Sequence, residues 1–514
     1  MSESPVHYAL LCKQLSEVAT VSSISSLLSW DQETYMPPAG AGQRAEQVSF
    51  ISALAHERAT SARIGDLIGA CEQDHALTAV ATSPEARNIR EMRRDFDHAT
   101  KIPTELVAEL ARVGSQAQEC WKQAREKSDF AMFQPWLEKM VALTRRKAEC
   151  LGVPNGGELY DALLDIYEPG ASAAQLEGIF TPLAERLSAL VKDLNTNGKQ
   201  PSNAPLRVSV DPARQHDVGQ FVLRAMGFDF NAGRLDTTTH PFCSGISAGD
   251  TRLTTRYREQ SWTDALYGTM HEGGHGLYEQ GLPKNNGVYG TPLASDISLG
   301  IHESQSRMWE NFVGRSREFW QWLLPQAKKM TAGSAGGPSP FDAFTPDQLY
   351  AAVNTATPSL IRVEADEATY NLHVLIRFRI ERALIAGTLR VADVPGEWNS
   401  SYKRYLGVDV PDHKRGCLQD VHWSFGLIGY FPTYTLGNLY CAQFWETIQK
   451  QMPDLNAQMS RGEFGPLRHW LNTNIHAHGK RYRAGELCQM LTGQPLSADP
   501  LMRHLEGKLR PLYK

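Results

Sequence analysis

Apolar residues recur every three or four positions along most of this chain, which is the spacing of amphipathic α-helices. In the segment 105–127, for example, Leu106, Leu110 and Val113 lie on one helical face. No repeat of fixed length accompanies this period. The same spacing is found in four further segments, at 133–151, 176–194, 368–389 and from Phe444 onward. The pattern predicts a mainly α-helical protein.

One region departs from this pattern, because β-branched residues partly alternate with polar ones there. Short strands are predicted at 206–210, 233–240 and 250–258. The last strand leads directly into a helical segment near Ser261, so we expect a small sheet beside that helix. The fold class is therefore mainly α, with one large helical domain over residues 1–514. Two lobes around a central cleft are one arrangement that this pattern allows.

Composition narrows the classes of function. The chain has 514 residues, of which 42% are hydrophobic, so a large core is expected. A net charge of -5 gives no reason to expect a nucleic-acid or anionic-membrane partner. Neither a signal peptide nor an apolar run of membrane-spanning length is apparent. Eight cysteines occur singly, without a CxxC pair, which favours reduced thiols in a cytoplasmic protein.

The stretch MHEGGHGLYEQ, residues 270–280, contains the main candidate chemistry. A capping box formed by Ser261 and Asp264 is predicted to start a helix that runs through it. His271 and His275 are four residues apart, so both imidazoles can reach one metal ion. Glu272 is offset by about 100 degrees and can contact a water on that ion. This is the HExxH arrangement of two histidine ligands and a glutamate base. The alternative is a surface helix with incidental histidines.

Three glycines close to these histidines argue against a plain surface helix. Gly273, Gly274 and Gly276 each cost about 1 kcal/mol relative to alanine inside a helix. A solvated helix would gain nothing from them. We therefore hypothesise that a neighbouring helix or a substrate approaches this backbone closely.

A catalytic zinc site needs a third protein ligand and one open position. Glu279 continues the spacing of four, but it lies about 6 Å further along the helix axis and would converge badly on the same ion. The predicted helix at 300–312 offers Glu303 and Glu310. For Glu303 the alternative role is an ion pair with Arg307, four residues later. The residues alone leave the third ligand open, since zinc accepts either carboxylate.

Several motifs together resemble the signature set of the carboxypeptidase Taq family, in the family's order. They are HEGGH (271–275), HESQ (302–305), DTRLT (250–254), IRVEAD (361–366), GCLQDVHW (416–423), SWDQETYMPP (29–38) and GYFPTYTLGN (429–438). The resemblance implies a zinc-type metallocarboxypeptidase that removes single residues from peptide C-termini. It also implies a helical, cleft-bearing shell of the gluzincin and neurolysin kind, and a homodimer. His271, His275 and Glu303 would be the metal ligands, and Glu272 the general base.

The wider gluzincin resemblance implies a histidine and a tyrosine that stabilise the tetrahedral oxyanion. His422 and Tyr430 are the candidates, and Tyr434 is the rival of Tyr430. The alternative for His422 is a core histidine paired with Asp420 or a backbone carbonyl. The alternative for Tyr430 is packing with its phenylalanine neighbours.

A carboxypeptidase must also recognise a free α-carboxylate, for which a guanidinium group is well suited. Arg362, in the IRVEAD motif, is the first choice, and an ion pair with Asp366 is its alternative role. Arg252 is the second choice, because a peptide could add as a further strand beside it. The alternative role of Arg252 is an ordinary charge on an edge strand.

These features predict a metal-dependent carboxypeptidase that acts on peptides with a free C-terminus. One Zn²⁺ per chain is expected, with Co²⁺ or Mn²⁺ as alternatives. The same metal site would also serve a metallo-oligopeptidase that cuts inside short peptides. A third hypothesis is a catalytically silent helical scaffold with a structural metal. Glu272 argues against the scaffold, since a structural site has no use for a general base.

Overall fold

Helices form most of the molecule, as the hydrophobic period predicts. The computed structural model describes residues 6–154, 156–285, 287–333 and 337–514. The helices in the first part of the chain are α1 (Val6–Thr34), α2 (Ala41–Ala59), α3 (Ala62–Gln73), α4 (His75–Thr78), α5 (Pro84–Lys101), α6 (Thr104–Lys127), α7 (Phe130–Leu151), α8 (Leu159–Tyr167), α9 (Ala173–Asn197), α10 (Pro212–Met226) and α11 (Trp262–Gly281).

Helices continue to the C-terminus after α11. Helix α12 passes directly into a π-helical segment, Met308–Gly314. The helices in this part of the chain are α12 (Leu299–Arg307), α13 (Arg317–Thr331), α14 (Pro346–Val353), α15 (Glu367–Ala386), α16 (Val394–Leu406), α17 (Pro432–Gln451), α18 (Leu455–Ser460), α19 (Gly465–Asn474), α20 (Ala484–Thr492) and α21 (Asp499–Leu512).

The predicted helices are confirmed, with small shifts of their ends in all but the last. The segments 105–127, 133–151 and 176–194 are α6, α7 and α9. The segment 368–389 is α15, which is buried on nearly every side and therefore lies inside the protein. Helix α17 starts at Pro432, twelve positions before the predicted Phe444, because aromatic and small residues extend its apolar face. Most buried apolar side chains form one core that extends from α6 to the C-terminus.

A three-stranded sheet lies beside α11, as predicted, but its strands differ in part from the prediction. They are β1 (Gly233–Thr237), β2 (Cys243–Ser247) and β3 (Asp250–Thr255). The order is β1-β3-β2, with β1 parallel and β2 antiparallel to β3. The two predicted strands are confirmed over shorter lengths, whereas β2 was not predicted because CSGIS has few β-branched residues.

The predicted strand at 206–210 is wrong. A short 3-10 turn, Ala204–Arg207, occupies its first half, and Pro205 lies at the start of that turn. The amide of Val210 then donates to the carbonyl of Glu259 at 3.0 Å, outside any ladder. The Val210 side chain is buried in the core, so its apolar character reflects tertiary packing and not strand pairing.

The SWDQETYMPP motif joins the end of α1 to this sheet. The Tyr35 hydroxyl donates to Asp236 at 2.5 Å, and the Thr238 hydroxyl donates to the Glu33 carbonyl at 3.0 Å. The guanidinium of Arg252 lies 4.2 Å from the centre of the Trp30 ring. The motif therefore attaches the first helix to the strands that precede the HExxH helix.

Ser261 is the N-cap residue of α11, as predicted, but the predicted capping box is wrong. Its side chain makes no capping hydrogen bond, and Asp264 instead donates its amide to the Ser261 carbonyl at 3.1 Å. All eight cysteines are free thiols, which confirms the absence of disulfides expected from their spacing. None of the described helices combines the length and the apolar character needed to cross a membrane.

Close approach of neighbouring elements explains the glycines of α11. A Cβ at Gly274 would lie 2.5 Å from the Gln305 carbonyl oxygen and 2.7 Å from the Cα of Ser306, both on α12. A Cβ at Gly437 of α17 would lie 2.5 Å from the Glu303 Cγ of α12. Gly273 and Gly276 likewise adjoin core side chains. The hypothesis of a closely packed neighbouring helix is confirmed.

We predict that Gly274→Ala destabilises the protein by about 1–3 kcal/mol, because its methyl group meets the α12 backbone, which has little freedom to move. Gly268→Ala is the matched control on the same helix, since its Cβ would meet no atom within 4 Å. The control should be neutral or stabilising by up to about 1 kcal/mol. Denaturant unfolding of both variants measures the difference. Equal stability of the two variants would show that the contact at Gly274 is unimportant.

Candidate metal centre

Helices α11 and α12 bring three potential metal ligands together. The Nε2 atoms of His271 and His275 lie 3.6 and 3.5 Å from the same oxygen, Oε2 of Glu303. Ligand atoms of these three residues all lie within 4.8 Å of one another. The i, i+4 spacing places both imidazoles on one side of α11, and Gly274 lets α12 present Glu303 opposite them. The predicted ligand set therefore forms one compact group.

The carboxylate of Glu303 is held as an anion. Burial would raise its pKa, but Arg307 and the two histidines keep that pKa well below its usual value. Arg307 donates from Nε to Oε1 at 2.7 Å, while Oε2 faces the imidazoles. The two roles considered for Glu303, ion pair and ligand, are therefore compatible, since each uses a different oxygen.

His271 is oriented from behind by Glu310. Its Nδ1 lies 2.9 Å from Oε2 of Glu310, so Nδ1 carries the proton and Nε2 offers its lone pair toward Glu303. Glu310 also accepts from Arg307 at 3.0 Å and from Arg315 at 3.3 Å. Burial raises the pKa of Glu310, but the arginines and His271 lower it to about 2. Glu310 thus orients the His271 imidazole, while Glu303 faces both imidazoles.

His275 is oriented by a second chain of hydrogen bonds. Its Nδ1 lies 2.6 Å from Nδ1 of His302, and Nε2 of His302 donates to Glu279 at 3.1 Å. Lys284 pairs with the same carboxylate of Glu279. A neutral His302 accepts from His275 and leaves the Nε2 lone pair of His275 free to bind a cation. Burial lowers the pKa of His302, but the hydrogen bond to Glu279 and nearby carboxylates raise it by more, so the net shift is upward. The hydrogen bond from His275 to His302 therefore requires a pH at which His302 is neutral.

The geometry fits a tetrahedral cation with two nitrogen ligands and one oxygen ligand. Zinc bonds to such atoms at about 2.0–2.2 Å, which separates neighbouring ligand atoms by about 3.3 Å in a tetrahedron. The separations of 3.5 and 3.6 Å between the imidazoles and Glu303 are close to this value. Burial also lowers the pKa of His275 to about 3, so its imidazole is neutral, as a ligand must be.

Glu272 lies beside the ligands on α11 and is 7% exposed. Burial raises its pKa to about 7, and the negative charge of Glu303 contributes in the same direction. A protonated His271 would lower the pKa of Glu272. Its one-residue offset from His271 keeps it out of the ligand group, as predicted from the helical period.

A second polar cluster surrounds Asp420. Its Oδ1 accepts from Arg362 Nε at 3.0 Å and from Arg362 Nη2 at 2.8 Å, and its Oδ2 accepts from Arg377. His422 lies further away, with Nδ1 at 4.0 Å from Oδ1, so it is not closely paired with Asp420. Burial lowers the pKa of His422 to about 4, which leaves the imidazole neutral at neutral pH.

Tyr430 and Tyr434 pack beside His422. The ring of Tyr430 is 5.6 Å from that of His422 and 5.4 Å from that of Tyr434. Burial raises the pKa of Tyr430, and the charge of Glu303 raises it further, which indicates that the phenol lies near the ligand carboxylate. Tyr434 packs against Arg362, whose guanidinium carbon is 5.1 Å from the ring centre.

Two assumptions about the arginines are wrong. Asp366 does not pair with Arg362, because its carboxylate caps α15 by accepting from the amides of Ala368 and Thr369. Arg252 lies on β3, the central strand, so it is not on an edge and no peptide can add beside it. Asp250 already accepts two hydrogen bonds from Arg252, at 2.9 and 2.8 Å.

The orienting residues His302, Arg307 and Tyr370 were not predicted as part of the site. Arg307 lies over the ring of Tyr370 at 4.6 Å, and the Tyr370 hydroxyl accepts from Arg362 at 3.0 Å. These contacts connect the two clusters. The spacing of Glu303, Arg307 and Glu310 at four and three residues could have indicated one shared helical face. No comparable spacing in the sequence indicates the contacts of Tyr370 with Arg307 and Arg362.

Comparison with known proteins is consistent with this geometry. A model of the family described as Carboxypeptidase Taq (M32) metallopeptidase matches residues 10–509. Thermostable carboxypeptidase 1 of Thermus thermophilus is 44% identical over 504 residues, which is 97% of each chain. Carboxypeptidase 1 of Bacillus subtilis is 36% identical over 499 residues, again 97% of each chain.

Solved structures show the same likeness in three dimensions. The crystal structure of a carboxypeptidase of this family from Deinococcus radiodurans superposes with a TM-score of 0.93 at 40% identity. It covers 99% of this chain and 100% of its own. A metallocarboxypeptidase from Trypanosoma cruzi superposes with a TM-score of 0.89 at 33% identity, over 98% and 99% of the two chains.

Proposed function

The chain belongs to the carboxypeptidase Taq family of metallopeptidases, and on this premise we propose how its residues hydrolyse a peptide. The protein is a metallocarboxypeptidase. We assign His271, His275 and Glu303 as ligands of one Zn²⁺ per chain, with Co²⁺ or Mn²⁺ as alternatives. The observation that carries this proposal is the convergence of three ligand atoms beside the buried carboxylate of Glu272.

The bound cation would lower the pKa of a coordinated water and polarise the scissile carbonyl. Glu272 takes the proton of the attacking water and later passes it to the departing amine. Burial raises the pKa of Glu272, which makes its carboxylate a stronger base than an exposed one.

His422 and Tyr430 donate hydrogen bonds to the oxyanion that develops on the carbonyl oxygen. A neutral imidazole and a protonated phenol can both donate, and the pKa shifts of these two groups favour those forms. We favour Tyr430 over Tyr434 for this role. Tyr434 packs against Arg362 and belongs to α17, so we assign it to the walls of the substrate site.

Arg362 binds the α-carboxylate of the substrate. The Nε–H of Arg362 and one N–H of its Nη2 donate to Asp420, and one N–H of its Nη1 donates to the Tyr370 hydroxyl. One N–H on each terminal nitrogen is then left over, and this pair can grip both carboxylate oxygens. Arg252 remains the second choice, since Asp250 and Trp30 already engage its guanidinium.

We also propose the substrates, the cellular location and the assembly of the enzyme. Its substrates are peptides with a free C-terminus. Eight free thiols support a reducing, cytoplasmic location. A homodimer and two lobes around the cleft remain predictions from family resemblance and sequence pattern.

We predict that Glu272→Gln lowers kcat by at least about 10²–10⁴-fold, because the variant lacks the general base. Bound metal should be unchanged, since Glu272 is outside the ligand group. Asp264→Asn, an exposed change on the same helix, is the matched control and should keep wild-type activity. Single-turnover kinetics and elemental analysis measure the two quantities. Turnover that survives Glu272→Gln refutes the assigned mechanism and indicates a different base.

We further predict that amidation of a peptide C-terminus lowers kcat/KM by about 10²-fold or more, because Arg362 loses a charged partner. Arg362→Gln should weaken cleavage of the free acid strongly and leave cleavage of the amide nearly unchanged. Mass spectrometry of the digests shows whether residues leave singly from the C-terminus. If Arg252→Gln removes the preference instead, Arg252 is the carboxylate site. Internal cuts in the amidated peptide would support the oligopeptidase alternative.

A further inference from the structure

Glu381 is a fully buried carboxylate on α15 that the proposed chemistry does not use. Its Oε1 accepts from the indole nitrogen of Trp423 at 2.9 Å. Its Oε2 accepts from the Gly429 amide at 3.1 Å and from the Tyr160 hydroxyl at 2.9 Å. Trp423 directly follows His422, and Gly429 directly precedes Tyr430. One carboxylate thus holds both ends of the segment 422–430.

The backbone at Gly429 makes this attachment rigid. Gly429 has φ +92°, and a Cβ there would lie 2.8 Å from the Leu163 carbonyl carbon of α8. The chain therefore turns tightly against α8 just before Tyr430, a conformation that favours glycine. The Tyr430 ring then packs edge-to-face on Tyr167 of the same helix, with centres 5.3 Å apart. Tyr430 is held by the packing of its own ring and by the hydrogen bond that the preceding Gly429 amide donates to Glu381.

A buried carboxylate is costly unless its hydrogen bonds compensate. Burial raises the pKa of Glu381 to about 7, while its three donors and the charge of Arg377 act in the opposite direction. Trp423 and Gly429 supply N–H groups that can only donate. A carboxylate can satisfy all three donors at once, whereas a neutral amide side chain of the same shape cannot.

We propose that Glu381 is a positioning residue that fixes His422 and Tyr430 relative to the scissile carbonyl by holding the segment 422–430 against α15. The inference rests on the proposed function, because it assumes that His422 and Tyr430 stabilise the oxyanion. Loss of Glu381 would misplace two donors that must lie within hydrogen-bond distance of the same oxygen. Such misplacement affects the transition state more than the bound substrate.

Glu381→Gln tests this proposal. Whichever way the amide turns, its NH₂ group faces the N–H of Trp423 or of Gly429, so one end of the segment is released. We expect kcat to fall about 10–100-fold, with KM within about threefold and bound metal unchanged. Tyr160→Phe is the matched control: it removes the third donor and leaves both contacts to the segment, so kcat should stay within about threefold.

A second set of variants separates this inference from the proposed function. In the His422→Ala/Tyr430→Phe background, Glu381→Gln should cause no further loss of kcat if it acts through those residues. A full further loss there overturns the proposal, as does a normal kcat in Glu381→Gln alone. If His422→Ala and Tyr430→Phe themselves keep full kcat, the proposed oxyanion role fails instead. Should Glu381→Gln not fold, Trp423→Phe removes one donor only and is expected to lower kcat by a smaller factor.

Discussion

The close approach of α11 and α12 is the constraint on which the site depends. A methyl group at Gly274 would overlap the backbone of α12, so only glycine allows the two helices to pack at this distance. Gly437 of α17 likewise allows α17 to approach Glu303 closely. This packing sets the distance between the imidazoles and the carboxylate, and it uses backbone contacts that cannot adjust as long side chains can.

Charge balance is the second requirement, because the site buries several carboxylates. Arg307 lies between Glu303 and Glu310 and bonds to both, while Lys284 pairs with Glu279. Glu310 lies directly behind His271, whereas His302 lies behind His275 and is itself bonded to Glu279. Both carboxylates are balanced by basic groups. The arrangement keeps Glu303 ionised and orients both imidazoles.

Sequence reasoning succeeded where spacing alone decides the geometry. The i, i+4 histidines and the offset of Glu272 follow from one helical period, and the glycines indicated a close neighbour. It failed where the outcome depends on distant residues. The partner of Arg362 is Asp420, 58 positions away, and not the nearby Asp366. The positions of β-branched residues do not indicate the order of strands in a sheet. The location of Arg252 on the central strand was therefore not predicted. The choice between Glu303 and Glu310 depended on how α12 meets α11 and passes into a π-helical turn.

The measurement that tests the central claim most directly is a metal titration of Glu303→Gln beside the wild-type protein, read by elemental analysis after equilibrium dialysis. The account predicts one ion per wild-type chain and a fall in affinity well beyond about 100-fold in the variant, more than the loss of an orienting group would cause. Retention of one ion with unchanged affinity in Glu303→Gln would contradict a cation held between the two helices.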